Sequence, residues 1–223
     1  MQPIFLRLED LKDLVAQNGW LSSDLISCYL KVVLNSPNIQ MNPDICVLDC
    51  YFIQRFPRPK GFELSSRVMN SHILGTNNFE TSKKILLPVN VNNRHWIAVQ
   101  IDRNVNLIQV FDSNNPQASK LNYKNESLES KILSFLTCKV PGTQFDSKRF
   151  TFKYEDSIYQ PDGSSCGIYA ILIILQKLNL LNFRIENSVT FIRNIRLAIF
   201  HEILTTNSAD LRSNQNGFIL NIL

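Results

Sequence analysis

Three short segments carry residue types that can work together in nucleophilic catalysis: Asn93-Arg94-His95-Trp96, Val110-Phe111-Asp112-Ser113 and Gln160-Pro161-Asp162-Gly163-Ser164-Ser165-Cys166-Gly167. Each alone is ordinary. A cysteine ahead of an apolar helix is usually core, and Asp112-Ser113-Asn114 reads as a plain turn. Together they supply a base, a group to orient it, a nucleophile and an oxyanion donor. Cys166 follows a loop with Gly163 and two serines and precedes a long apolar run. That puts its sulfur at or near a helix N-terminus, where free N–H groups and the positive dipole end favour negative charge. Gln160, on the same loop, can offer its amide to a developing oxyanion together with the Cys166 backbone N–H. Gly167 would let a substrate carbonyl come close to the backbone. The chemistry expected is thiol-mediated acyl transfer.

His95 and Asp112 stand seventeen positions apart, with the polar break Asp102-Arg103-Asn104-Val105 between them. If Arg103-Asn104 is a two-residue hairpin turn, the two residues lie directly opposite each other on an antiparallel pair. Their Cβ atoms would then be roughly 4.5–5.5 Å apart. A hydrogen bond between imidazole and carboxylate would fix the tautomer and raise the basicity of the histidine. A slip of one residue would send them to opposite faces.

The elements that must position these residues follow from periodicity. Leu8, Leu11 and Leu14 predict a helix within Leu6 to Gln17, stopped by Gly19. Ser22 or Ser23 caps a second helix running to about Leu34. Val47 to Phe52 is apolar and of no clear type. Lys83–Asn90, His95–Asp102 and Val105–Asp112 read as strands, the last two apolar on both faces as in a sheet centre. Leu121 to Cys138 reads as an amphipathic helix, Phe150–Tyr154 as a strand, Gly167–Leu181 as a buried helix and Ser188–Leu204 as a further helix. The expected class is α+β, a small mixed central sheet flanked by helices, over residues 1–223 as one domain.

Composition narrows the function. The 223 residues are 44% hydrophobic and 19% charged, which is too apolar for disorder. A net charge of +4 is far from that of a dedicated nucleic-acid binder. No basic segment followed by an apolar run opens the chain, and no apolar stretch is long enough to span a bilayer. Five cysteines, an odd number, argue against a secreted disulfide framework. The expected setting is intracellular, nucleus or cytoplasm, with no nucleic-acid or membrane partner.

The three segments, in the order His, Asp, Cys, resemble the ubiquitin-like-protein-specific cysteine proteases, the SUMO and Nedd processing peptidases of clan CE with the adenain-like fold. The shared motifs are His95-Trp96, the strand ending in Asp112-Ser113, and Gln160 through Cys166-Gly167. Gly19-Trp20-Leu21-Ser22-Ser23-Asp24 is similar to the family's Trp-Leu-Asn-Asp segment, and the resemblance covers roughly residues 18–205. It implies Cys166 as nucleophile, His95 as base, Asp112 as orienter and Gln160 as oxyanion donor. It implies Trp20 and Trp96 as walls of a tunnel that passes only two glycines, with Gly167 beside it. The implied activity is cleavage after the C-terminal Gly-Gly of a ubiquitin-like modifier, SUMO foremost, by isopeptidase action or precursor processing. The implied partners are that modifier (SUMO, Nedd or ubiquitin) and its conjugates. The enzyme would act as a monomer without metal or cofactor. A deubiquitinase or deneddylase, an acetyltransferase using the same His-Asp-Cys set, and a non-enzymatic module that grips a modifier tail are the alternatives. Two positions depart from the family pattern: Ser165 stands where an acid commonly precedes the nucleophile, and Ser23 where the Trp-Leu-Asn-Asp segment ends.

The remaining candidates read as structural. Cys46 and Cys50 lack two further ligands for a zinc site. Cys28 and Cys138 read as idle thiols, and His72 and His201 as structural residues without evident partners. Arg193 and Arg196 share a helix with Glu202 and read as a solvated face.

Overall fold

The computed structural model describes residues 6–56, 64–114, 126–136 and 150–209. Six helices, α1 (Leu8–Val15), α2 (Ser23–Leu34), α3 (Ser66–Ser71), α4 (Glu126–Leu136), α5 (Cys166–Lys177) and α6 (Val189–Ala209), surround six strands. The strands are β1 (Ile45–Leu48), β2 (Ile73–Leu74), β3 (Lys84–Val91), β4 (His95–Asp102), β5 (Leu107–Phe111) and β6 (Thr151–Glu155). They form one mixed sheet in the order β2-β1-β3-β4-β5-β6. β1/β3 and β5/β6 are parallel, and the other pairs are antiparallel. The α+β expectation holds.

The central strands are apolar on both faces because both are covered. Trp96, Ala98, Leu86 and Phe111 face α2, α5 and α6. Ile97, Val99, Ile101, Ile108 and Val110 face Phe52, Phe56 and the α4 residues Ile132 and Phe135. Phe52 and Phe135 meet edge to face with ring centroids 4.9 Å apart. α5 is the central helix, with Cys166 through Leu175 all buried.

Three local devices aim the site. Asn92 and Asn93 adopt φ of 55° and 56°, a left-handed conformation that asparagine tolerates. They close a three-residue turn that makes His95 the first residue of β4, paired with Val91. Ser22 caps α2, its Oγ accepting from the Leu25 N–H at 3.2 Å. Gly19 ends the approach to α2, where a Cβ would lie 1.8 Å from the Asp13 carbonyl oxygen.

The hairpin register differs from expectation. Ala98 pairs with Phe111 and Asp102 with Leu107, so Arg103 to Asn106 forms a four-residue loop with Asn106 left-handed. One step beyond that ladder, Asp112 faces Ile97, and His95 sits two residues farther along. The segment Val47 to Phe52 resolves into the end of β1 and a turn leading to a 3-10 turn at Ile53–Arg55. The strand expected from Val105 begins at Leu107, and the buried helix ends at Lys177. α3 and β2 were not foreseen, being six and two residues long. Residues 121–125 and 137–138 of the expected amphipathic helix, Cys138 included, lie outside the described residues.

Candidate active site

His95, Asp112 and Cys166 come together where β4 begins, β5 ends and α5 begins. His95 Nε2 lies 2.6 Å from Asp112 Oδ1. The register explains which nitrogen reaches. A two-residue offset keeps both side chains on one face but makes them diagonal neighbours, about 7–8 Å apart at the backbone. The distal Nε2 spans that gap. A carboxylate only accepts, so Nε2 carries the proton and Nδ1 is left for the sulfur. Cys166 is near enough to His95 to bear on its titration. Burial opposes the charged imidazolium, but the hydrogen bonds to Asp112 and Cys166 and their charges outweigh it and lift His95 to about 9. The second Asp112 contact is local: Oδ1 also accepts from the Asn114 N–H at 2.8 Å.

Cys166 is the first residue of α5, so its N–H has no acceptor within the helix. Ser165, at the cap position, makes no side-chain cap. Its hydroxyl donates instead to Asp162 Oδ2 at 2.7 Å. Asp162 Oδ1 accepts the N–H groups of Ser164 and Ser165 at 2.8 and 2.7 Å. Burial works to raise the Asp162 carboxyl, but these hydrogen bonds prevail and hold it below its ordinary value. The loop is therefore wound around one carboxylate, and the first N–H of the helix is left without a side-chain cap.

Gln160 is buried on that loop. Its Oε1 accepts from Ser113 Oγ at 2.7 Å, and its Nε2 donates to the Asp162 carbonyl at 2.5 Å. The carbonyl partner fixes which end of the amide is nitrogen. The second amide hydrogen has no partner among the described residues. The Gln160 backbone N–H also bonds the Ser113 carbonyl at 3.0 Å. Ser113 and Asp162 thus set the Gln160 amide, and neither role was read from the sequence. The adjacency of Asp112-Ser113 and the Asp-Gly-Ser-Ser turn were the available clues.

Trp20 is exposed (47%), whereas Trp96 is buried (2%) and its indole N–H donates to the Leu21 carbonyl at 2.9 Å. Leu21 lies over Gly167: a Cβ there would be 3.0 Å from the Leu21 Cβ. The glycine thus leaves room for a side chain of the protein itself.

Burial pushes Cys46 up to about 12 and raises Cys50 and Cys28 as well. His72 has a partner after all: its Nδ1 lies 2.9 Å from both oxygens of Asp49. Asp49 also accepts the N–H groups of Tyr51 and Phe52, so this second imidazole–carboxylate pair is sealed and ties a turn. The solvated face expected of α6 is wrong at two positions, because Arg196 and Glu202 are buried. No group of three or more metal-ligating side chains occurs among the described residues, and no helix there is long and apolar enough to cross a membrane.

The sequence matches the Ulp1 protease family, C-terminal catalytic domain, over residues 19–205. The chain belongs to the Ulp1 protease family. Its fold is shared with the SUMO protease Ulp1 having its catalytic cysteine oxidised to a sulfonic acid, at TM-score 0.62 and 21% identity over 93% of this chain and 87% of that one. It is shared equally with the C-terminal Ulp1 protease domain solved in complex with Smt3, the yeast ortholog of SUMO, at TM-score 0.62 and 20% identity over 93% and 86%. A thiol-protease relative from Acanthamoeba polyphaga mimivirus is 31% identical over 99 residues, which are 44% of this chain and 30% of that protein. The chain therefore matches less than a third of that viral relative's length. The Ulp1-family match spans both the Trp20 segment and the His95, Asp112 and Cys166 constellation.

Proposed function

We propose that this chain is a cysteine protease that cuts after the C-terminal Gly-Gly of a ubiquitin-like modifier, with SUMO as the first candidate. The observation that carries the reading is the 2.6 Å His95–Asp112 bond with Cys166 beside the same imidazole at the first residue of α5. The Cys166 sulfur attacks the carbonyl of the last glycine. The oxyanion that forms accepts from the Cys166 N–H and the free Gln160 amide hydrogen. The imidazolium of His95 gives its proton to the departing amine, a lysine ε-amine in a conjugate or an α-amine in a precursor. The C–N bond breaks and a thioester remains. Water, deprotonated by His95, then attacks the thioester and releases the modifier's carboxylate and the free thiol.

Trp20 supports the choice of substrate, because its exposed indole adjoins Leu21, which packs on Gly167 next to Cys166, and would cover a glycine pair where bulkier residues would collide. Trp96 and Gly167 back that wall through Leu21. A solved family member in complex with a SUMO ortholog points the same way. The test is labelling of the reduced protein with SUMO, Nedd and ubiquitin probes bearing a C-terminal electrophile. A covalent shift with one probe, absent in Cys166→Ala, is expected and names the modifier. No shift with any of the three overturns the reading.

A further inference from the structure

The α6 residue Arg196 is the bulkiest of the fully buried side chains, only 2% exposed. A guanidinium cannot shed its charge in a protein interior, so burying one is costly unless its donors are met. Arg196 Nη1 donates to the Asp13 and Leu14 carbonyls, each at 3.2 Å. Its Nη2 donates to the Gly19 carbonyl at 2.8 Å. The first two acceptors are unmatched carbonyls of the last turn of α1, and the third immediately precedes Trp20. Its Nε–H is buried without a partner among the described residues. No carboxylate lies within ion-pair distance of the group among the described residues. An incompletely paired buried charge is an expensive way to join two helices, and a well-packed apolar residue would serve stability as well or better.

Its location gives the side chain another use. The same side chain holds the peptide that carries Trp20. Gly19 reinforces that grip: its Cβ position is filled by the Asp13 carbonyl, which Arg196 also binds.

We propose that Arg196 is a positioning residue of the active site, clamping the Gly19 carbonyl and so the Trp20 wall. The clamp needs the planar fork of arginine and not merely a point charge. The substrate side of this inference rests on the protease reading; the quenching readout does not.

The variants Arg196→Lys and Arg196→Met test the clamp. Acrylamide quenching of tryptophan fluorescence reads Trp20, since Trp96 is sealed. KM and kcat on coumarin amides of SUMO, Nedd and ubiquitin read the wall. Both variants are expected to change quenching and raise KM about three- to tenfold, with kcat within about twofold of the parent. Parental quenching and KM in Arg196→Lys would overturn the clamp. If Arg196→Met does not fold, Arg196→Lys alone decides. If the parent cuts none of the three substrates, the protease reading fails, and quenching still decides Arg196.

Discussion

Leu21 rests directly on Gly167: a Cβ on the glycine would lie 3.0 Å from the leucine Cβ, 3.1 Å from its Cγ and 3.2 Å from its Cδ1. Leu21 cannot retreat freely, because it is buried and its carbonyl is held by Trp96. Gly167→Ala should therefore cost about 1–3 kcal/mol of stability as an overpacked site. It should also slow probe labelling at Cys166, the preceding residue. Thermal melting and labelling kinetics check this. Leu21→Ala combined with Gly167→Ala should recover part of the melting loss, and strict additivity would show that the contact is not the cause.

The Trp96 indole should matter more for its N–H than for its size. Trp96→Phe keeps an aromatic ring but leaves the Leu21 carbonyl without its donor, at a cost of about 1–3 kcal/mol. A chemical denaturation midpoint would measure it. A variant as stable as the parent would mean that the carbonyl finds another donor.

The His95 pair makes stability depend on pH in one direction. Its folded value, about 9, lies above the ordinary 6.5. The stabilisation is therefore complete below about pH 6.5 and is lost as pH rises through about 9. Melting temperature should decline across that window, and His95→Ala should flatten the decline. An equal slope in both proteins would assign the loss to other groups.

Gln160 and Ser113 should form a graded series. Gln160→Ala removes the proposed oxyanion donor and should lower kcat by about 10²–10³ with little change in KM. Ser113→Ala leaves the amide in place but frees its oxygen end, so its effect should be smaller and in the same direction. Steady-state kinetics on the modifier that labels would decide, and an unchanged kcat in Gln160→Ala would remove it from the mechanism.

Some of this architecture was legible before folding because it depends on local pattern. The apolar faces of β3, β4 and α5 and the Ser22 cap are written in spacing and residue type. The His95–Asp112 bond was foreseen by a register that proved wrong by two residues. It survived because side chains alternate with period two, so a two-residue shift preserves the face. The short elements α3 and β2 were illegible because six and two residues hold too little periodicity. Arg196 and Glu202 misled because a charged side chain on a helix is nearly always solvated, and only its partners reveal the exception. Those partners, the Gly19 carbonyl and the Tyr29 hydroxyl, lie 177 and 173 positions away.

The sequence by itself determined the class of the fold and put forward the candidate reactive set, since both rest on residue type, order and short-range spacing. Tertiary structure alone decided how that set is held. Trp96 turns inward to bind Leu21, Leu21 takes the space that Gly167 leaves, Ser113 and Asp162 fix Gln160, and Arg196 crosses to the Gly19 carbonyl. Most of these contacts join residues far apart in the chain. Such pairs leave no periodic trace in one sequence, because what matters there is a distance in space rather than a spacing along the backbone.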